Sequence, residues 1–308
     1  MPHPMRKEEI TAPLDVGPVP SDTRLTGLEY KIPVSSAQVK SALLLSGLFA
    51  SGPTTLYEPL LSRDHTERML SALGLPIRAA GTMVYLEPPQ SMRAIPAFDI
   101  DLPGDLSAAA FLLCAAQIVP GGNVTTRRTG LNPTRSGIVD VIRLFGGSIG
   151  AETQGDALGE PYGVVTARSS ELSARPVGGE LATRSIDEIP IVCALAARAR
   201  GTTVISDVGE LRVKESDRIA QMVHVLRAFG VNANEREEGL EIEGKVGGPL
   251  TAARVASHGD HRIAMTACVL GLVADGPSVI DEADTIATSF PRFVGTLRAL
   301  GADIEVEQ

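Results

Sequence analysis

The sequence predicts an α/β protein of inside-out form, with helices filling the interior and sheets outside them, and three observations carry that prediction. Four Ala-rich apolar segments recur along the chain, each ending in Gly and running into a short β-like stretch. Those segments are apolar nearly all round, the pattern of helices covered on every side. Each is followed by a polar loop and a second helix with a solvated face, closed by a hydrophobic-Gly-hydrophobic signal.

The four units open with "SAQVKSALLLSGLFASGPTTLYE", "LSAAAFLLCAAQIVPGGNVTTRR", "EIPIVCALAARARGTTVISD" and "HRIAMTACVLGLVADGPSVIDE". Gly52, Gly121, Gly201 and Gly276, which close the apolar segments, lie 69, 80 and 75 residues apart. The second helices end in "SALGLPI", "RLFGGSI", "RAFGVNA" and "RALGADI", each predicted to lead into a strand, and "TMVYLEPP" and "LEIEG" read as extra strands. Ser36, Asp105, Asp187 and Asp260 stand where the apolar helices start and suit N-caps. Asp64 with Glu67 three residues on reads as a capping box. If the units are arranged symmetrically, several helix amino termini point into shared space, which favours anions. The Pro-rich stretch 88–105 lacks helical periodicity and sets a boundary near residue 102. Residues 1–102 are thus expected to form an incomplete amino-terminal domain with one unit, and residues 103–308 a carboxyl-terminal domain with three.

Composition narrows the function. The apolar runs, such as "ALLLSGLFA" at 42–50, fall well short of the roughly 20 residues that span a bilayer. No signal-peptide pattern opens the chain, so a cytoplasmic protein without a membrane partner is expected. With 37 acidic against 28 basic residues, no Trp and four Tyr, the chain lacks both the charge and the stacking groups of a nucleic-acid binder. Cys114, Cys193 and Cys268 sit apart in apolar segments and read as buried reduced thiols. His258 and His261 lack the further ligands a metal site needs, and no metal is expected.

Four charged segments stand out in this acidic chain. "LRVKESDRI", 211–219, gathers Arg212, Lys214, Glu215, Asp217 and Arg218 just before an amphipathic helix. Cations there oppose the helix dipole, a cost that a bound anion would offset. A solvated helix start is the competing explanation. "GDHRIAM", 259–265, repeats the arrangement with Arg262, and "LSRDHTERML", 61–70, carries Arg63. "SIDEIPIV", 185–192, pairs Asp187 with Glu188; as an alternative to capping, Asp187 could serve as a base toward a substrate hydroxyl.

Together "SSAQVKSALLL", "SRDHTERML", "PGDLSAAAF", "IDEIPI", "LRVKESDR", "GDHRIAM" and "TSFPRF" closely resemble the 5-enolpyruvylshikimate-3-phosphate synthase family, in its order and over residues 33–308. The resemblance implies two inside-out α/β domains around a cleft. It also implies transfer of the enolpyruvyl group of phosphoenolpyruvate to the 5-hydroxyl of shikimate 3-phosphate, in aromatic amino acid biosynthesis, with no metal or organic cofactor. Carried over by motif, Ser35, Ser36, Gln38 and Arg63 resemble the shikimate 3-phosphate contacts. Asp187 matches the carboxylate at the 5-hydroxyl, and Lys214 the lysine that holds the same substrate. Glu215 matches the group exchanging a proton at the phosphoenolpyruvate methylene. Gln38, Arg218 and Arg262 resemble the phosphoenolpyruvate contacts, with His261 beside them, while Arg212 and Asp217 are left as scaffold charges. The chain departs from the pattern at Thr288 and Ser289, where many members carry a Lys before the Phe-Pro pair. The family's amino-terminal Lys-Ser and Asn-Ala-Gly-Thr segments have no match, and "HPMR" at 3–6 aligns too poorly to give Met5 or Arg6 a role. Three readings follow: an enzyme of this family; a truncated, non-catalytic phosphate-binding module that associates with itself or with a complementary fragment; and UDP-N-acetylglucosamine 1-carboxyvinyltransferase, whose motifs fit less well.

Overall fold

Three successive units of the chain build the same small sheet, which shows the repeat directly. The computed structural model describes residues 17, 20, 23–91 and 95–307, and "HPMR" lies outside them. The first unit runs β1 (Glu29–Lys31), α1 (Ala37–Gly47), β2 (Thr54–Tyr57), α2 (His65–Ala72), β3 (Ile77–Ala80) and β4 (Met83–Leu86). The second holds α3 (Leu106–Ile118), β5 (Asn123–Gly130), α4 (Gly137–Leu144), β6 (Ser148–Ala157), β7 (Glu160–Arg168) and β8 (Leu172–Ser173). The third holds α5 (Gly179–Arg184), a 3-10 turn Ile186–Glu188, α6 (Ile189–Ala197), β9 (Ala199–Arg200) and β10 (Thr202–Ile205). It continues through a 3-10 turn Gly209–Val213, α7 (Arg218–Ala228), β11 (Asn232–Arg236) and β12 (Gly239–Glu243). The fourth comprises β13 (Arg254–Ala256), α8 (His261–Gly271), β14 (Val279–Asp281), α9 (Ile286–Ser289) and α10 (Phe293–Ala299).

In each of the first three units the strand after the second helix turns back as a hairpin, and the hairpin's return strand inserts beside the main strand that follows the apolar helix. The orders β2-β4-β3, β5-β7-β6 and β10-β12-β11 follow, all antiparallel, with β1 added parallel to β2. The fourth unit departs from expectation. Among the described residues only the parallel pair β13-β14 forms there, and residues 302–307 after "RALG" make no strand.

The apolar helices behave as their sequences demand in three units out of four. All nine residues of α6 are buried, as are twelve consecutive-to-near positions of α3 and Ile263 to Leu270 of α8, and these helices pack on one another at the centre. Helix α1 is the exception: only Lys40, Leu44 and Gly47 are buried, while Leu45 is 50% and Phe49 55% exposed. Its core contains one apolar helix, packed on β2, where the other core contains three, so its far face meets no second apolar helix among the described residues. The apolar side chains fall into two separate clusters, one drawn from residues 32–86 and one from residues 106–297.

Three of the four expected caps form. Ser36 accepts from the Val39 amide, Asp105 from Ser107, and Asp260 from both Arg262 and Ile263. Asp187 does not cap: it lies inside the 3-10 turn, and Glu188 occupies the position before α6. The capping box also fails, because Glu67 turns to Lys40 and the Asp64 carboxylate accepts from Arg68, Asn132 and Thr134. Burial works to raise the Asp64 carboxyl, but those bonds outweigh it and hold it below the usual range. With His65 against Glu160 at 2.7 Å, they fasten the start of α2 to the β5-β7-β6 sheet. The three cysteines are free and buried, and burial pushes Cys268 up to about 12. Among the described residues no helix is long and apolar enough to cross a membrane, and no group of three His, Cys, Asp or Glu could hold a metal.

Candidate active site

Asp187 sits at the centre of a ring of cations that come from distant parts of the chain. Its Oδ2 accepts from Arg63 Nη1 at 2.8 Å, with Arg262 Nη2 at 3.9 Å from the same oxygen and Arg218 Nη1 at 4.0 Å from Oδ1. Arg262 Nη1 also donates to the Asp187 carbonyl at 2.8 Å, fixing the turn as well as the side chain. Burial acts to raise the Asp187 carboxyl, yet Arg262, Arg63, Lys214 and Arg135 together hold it below the ordinary range. The carboxylate is ionised and able to accept a proton from a hydroxyl that reaches it.

Four helix starts meet at the ring, and hydrogen bonds and ion pairs join them one to the next. The turn before α6 presents Asp187 to Arg262 in the first turn of α8. Asp260, which caps α8, receives Arg218 Nε of α7 at 2.8 Å and Ser216 Oγ at 3.0 Å. Glu188, at the start of α6, receives the hydroxyl of Ser107 at the start of α3. The amino termini of α3, α6, α7 and α8 therefore meet at one place, where their dipoles favour negative charge. Buried Arg218 is 2% exposed and also donates to Glu215 Oε2 at 2.6 Å. Lys214 pairs with Glu210, four residues before it. Burial and then the neighbouring Arg262 push the His261 imidazole down, so it stays neutral beside the cations.

Arg63 reaches this ring from the other cluster, on a loop that is held at both ends. Ser35 Oγ donates to the Leu60 carbonyl at 2.7 Å and accepts from the Leu60 amide at 2.9 Å. Underneath, the wholly buried Lys40 pairs with Glu58 at 2.8 Å and Glu67 at 2.7 Å, and Ser62 donates to Glu58. Burial pushes the Glu67 carboxyl up in spite of Lys40.

Of the residues singled out from the sequence, Arg63, Asp187, Lys214, Glu215, Arg218 and Arg262 converge. Ser35 joins them through the Arg63 loop. Ser36 is occupied as a cap and Gln38 is exposed in the first turn of α1, and no hydrogen bond or ion pair among the described residues ties either to Asp187. Arg212 is fully engaged with Asp217 at 2.8 Å, Glu235 at 3.2 Å and two carbonyls, a scaffold role as expected. Sequence reasoning missed Arg135, which lines the same cleft as Arg63 and Asp187. Its "NPTRSG" context carries no charge cluster that would have marked it.

These motifs and this geometry have counterparts. A family model described as EPSP synthase (3-phosphoshikimate 1-carboxyvinyltransferase) matches residues 4–297. The chain belongs to the EPSP synthase family. A 3-phosphoshikimate 1-carboxyvinyltransferase of Geobacter sulfurreducens is 49% identical over 275 residues, covering 89% of this chain and 62% of its own length. The one of Bacillus licheniformis is 45% identical over 270 residues, 87% of this chain and 62% of its own length. Among solved structures, an EPSP synthase from Acinetobacter baumannii superposes with a TM-score of 0.85 at 38% identity, over 92% of this chain and 65% of that one. The chain thus spans less than two thirds of each of these EPSP synthases. Its inside-out α/β fold, read first from the repeats, is the EPSP synthase fold.

Proposed function

We propose that this chain carries much of the active site of an enzyme that transfers the enolpyruvyl group of phosphoenolpyruvate to the 5-hydroxyl of shikimate 3-phosphate, in the cytoplasm. The observation that supports it most is an ionised Asp187 ringed by Arg63, Arg218 and Arg262 where four helix starts meet. Two anionic substrates need concentrated cations, and the transfer needs one group to accept a proton and another to deliver one. Asp187 accepts the 5-hydroxyl proton as that oxygen bonds to C2 of phosphoenolpyruvate. Glu215, beside Arg218, delivers a proton to the methylene carbon, giving a tetrahedral adduct. Loss of a proton from that carbon and departure of phosphate then form the enol ether. Lys214 and Arg63 hold shikimate 3-phosphate, with Ser35, Ser36 and Gln38; Arg218 and Arg262 hold phosphoenolpyruvate through planar forks that match carboxylate and phosphate.

Two supporting proposals concern organisation. The separate apolar clusters favour a domain division near residue 102. Exposed Leu45 and Phe49, beside Leu25 along one groove, favour association with a second copy or a complementary fragment through α1. Calorimetric titration with shikimate 3-phosphate, then phosphoenolpyruvate, tests the functional proposal, together with phosphate release when both are present. Saturable binding of the first substrate is expected. Thermal stabilisation by UDP-N-acetylglucosamine instead of shikimate 3-phosphate would transfer the assignment to the other enolpyruvyl acceptor.

A further inference from the structure

The second carboxylate of "SIDEIPIV" has no part in the chemistry above, yet it is more deeply buried than the first. Glu188 is 2% exposed, as is Ser107, whose hydroxyl donates to Glu188 Oε1. Ser107 Oγ in turn accepts from Arg135 Nη2 at 2.9 Å, and the same nitrogen donates to Asp105 Oδ1 at 2.8 Å. Asp105 Oδ1 also takes the Ser107 amide at 3.0 Å, so the chain of bonds closes on the cap of α3. Arg63, Ser107, Arg135, Asp187 and Glu188 line one small cleft, and the buried Arg135 Nε has no hydrogen-bond partner there.

Burial pushes the Glu188 carboxyl up, against Ser107 and Arg262, while its neighbour Asp187 is held down. Adjacent acids driven apart in this way have different tasks. Glu188 lines the cleft but is only 2% exposed, and its Oε1 is taken by the Ser107 hydroxyl, so it does not share the task of Asp187. Packing does not call for it either, because α6 beyond it is wholly apolar, and an apolar residue would avoid burying a carboxyl.

We propose that Glu188 is a positioning residue: through Ser107 it braces the turn that carries Asp187 against the start of α3 and holds Arg135 over the cleft as a further cation for a bound phosphate monoester. The phosphate part rests on the proposed function; the brace does not. Two measurements separate them. Phenylglyoxal modification of Arg135, mapped by mass spectrometry without ligand, reads whether the arginine is held, with half-exposed Arg143 as the internal control. Ser107→Ala is expected to raise the Arg135 rate severalfold and leave Arg143 unchanged. Glu188→Leu should act in the same direction, and Glu188→Gln, which keeps an acceptor for Ser107, should restore a slow Arg135 rate. Should Glu188→Leu fail to fold, Ser107→Ala and Glu188→Gln still decide. Calorimetry with shikimate 3-phosphate reads the phosphate role: Arg135→Gln and Ser107→Ala are each expected to bind about tenfold more weakly than wild type. An Arg135 rate indifferent to Ser107→Ala would overturn the brace. Wild-type affinity in Arg135→Gln would overturn the phosphate role. Wild-type protein that binds no shikimate 3-phosphate would overturn the proposed function and the phosphate role together, while the modification rates would still uphold or overturn the brace.

Discussion

Replacing Asp260 by Ala removes one side chain that performs two tasks, and the loss can be estimated from each. Asp260 is 0% exposed and accepts Arg218 Nε at 2.8 Å, and it caps α8 through the amides of Arg262 and Ile263. Removing one partner of a buried ion pair costs about 3–5 kcal/mol, because the other charge stays buried. Arg218 keeps Glu215, whose side chain is 51% exposed, so the low end of that range applies. A lost cap adds about 1 kcal/mol. The expected total is about 4 kcal/mol, a large share of the roughly 5–15 kcal/mol that stabilises a domain. Asp260→Asn keeps the shape and an acceptor but loses the charge, and should cost about half as much. Urea unfolding followed by far-ultraviolet circular dichroism suits a chain without Trp, with stability taken from the midpoint at constant slope. The pH dependence supplies a second check. Burial would raise the Asp260 carboxyl, but Arg218 and the Arg262 amide hold it low, so its contribution is complete above the unfolded carboxyl range and fades as pH falls through the folded value. The difference between wild type and Asp260→Ala must shrink in acid. A difference below about 1 kcal/mol at neutral pH, or one constant down to the acid limit of folding, would refute the reasoning.

Arg262→Ala removes the strongest of the cations that hold Asp187 down, so the Asp187 carboxyl should titrate higher in a carbon-13 NMR titration. Phosphoenolpyruvate should also bind about 10- to 100-fold more weakly by calorimetry. Lys40→Met leaves Glu58 and Glu67 buried without their cation and should cost about 3–5 kcal/mol in urea unfolding. Adding Glu67→Gln should recover part of that. Since Glu67 binds its proton more tightly folded than unfolded, its contribution favours the folded state at low pH and is lost as pH rises, the opposite of Asp260. Leu45→Ser with Phe49→Ser should shift the chain toward monomer in sedimentation velocity at micromolar concentration. A wild-type protein already monomeric there would remove the proposed association surface.

The repeat was legible because periodicity survives without any tertiary information. Apolar residues on every side of α3, α6 and α8 can only mean burial, and glycine at the helix ends marked each unit. Helix α1 misled for the same reason: its sequence states what it should pack against, and the described residues supply only one side. In sequence Asp187 reads first as a cap, with a base as the alternative, since both put a carboxylate before an apolar helix. The turn Ile186–Glu188 removes the cap reading by placing Glu188 at the cap position. Arg135 was invisible, because its importance comes from Asp105 and Ser107, which lie 30 and 28 residues away. The Lys40 pairing was hidden likewise, since a lysine within an apolar segment resembles a solvated position until Glu58 and Glu67 are folded onto it.

The charges of "LRVKESDRI" sort by the exposure of their partners. A cation at a helix start opposes the dipole, and the sequence alone left a solvated helix start and a bound anion as competing explanations. The folded chain already compensates each one: Arg212 with Asp217 and Glu235, Lys214 with Glu210, and Arg218 with Asp260 and Glu215. An arriving anion must therefore displace a carboxylate, and the cost depends on where that carboxylate goes. Asp260 has no route to water and also caps α8, so it stays and fixes the orientation of Arg218. Glu215 and Glu210, with side chains 51% and 40% exposed, can be released into solvent at little cost. One buried partner that aims the guanidinium and one exposed partner that yields would suit a site that is stable when empty and open to an anion. In the proposed reaction the same division would free Glu215 from Arg218 when a phosphate takes its place, which is when a proton-delivering group is needed.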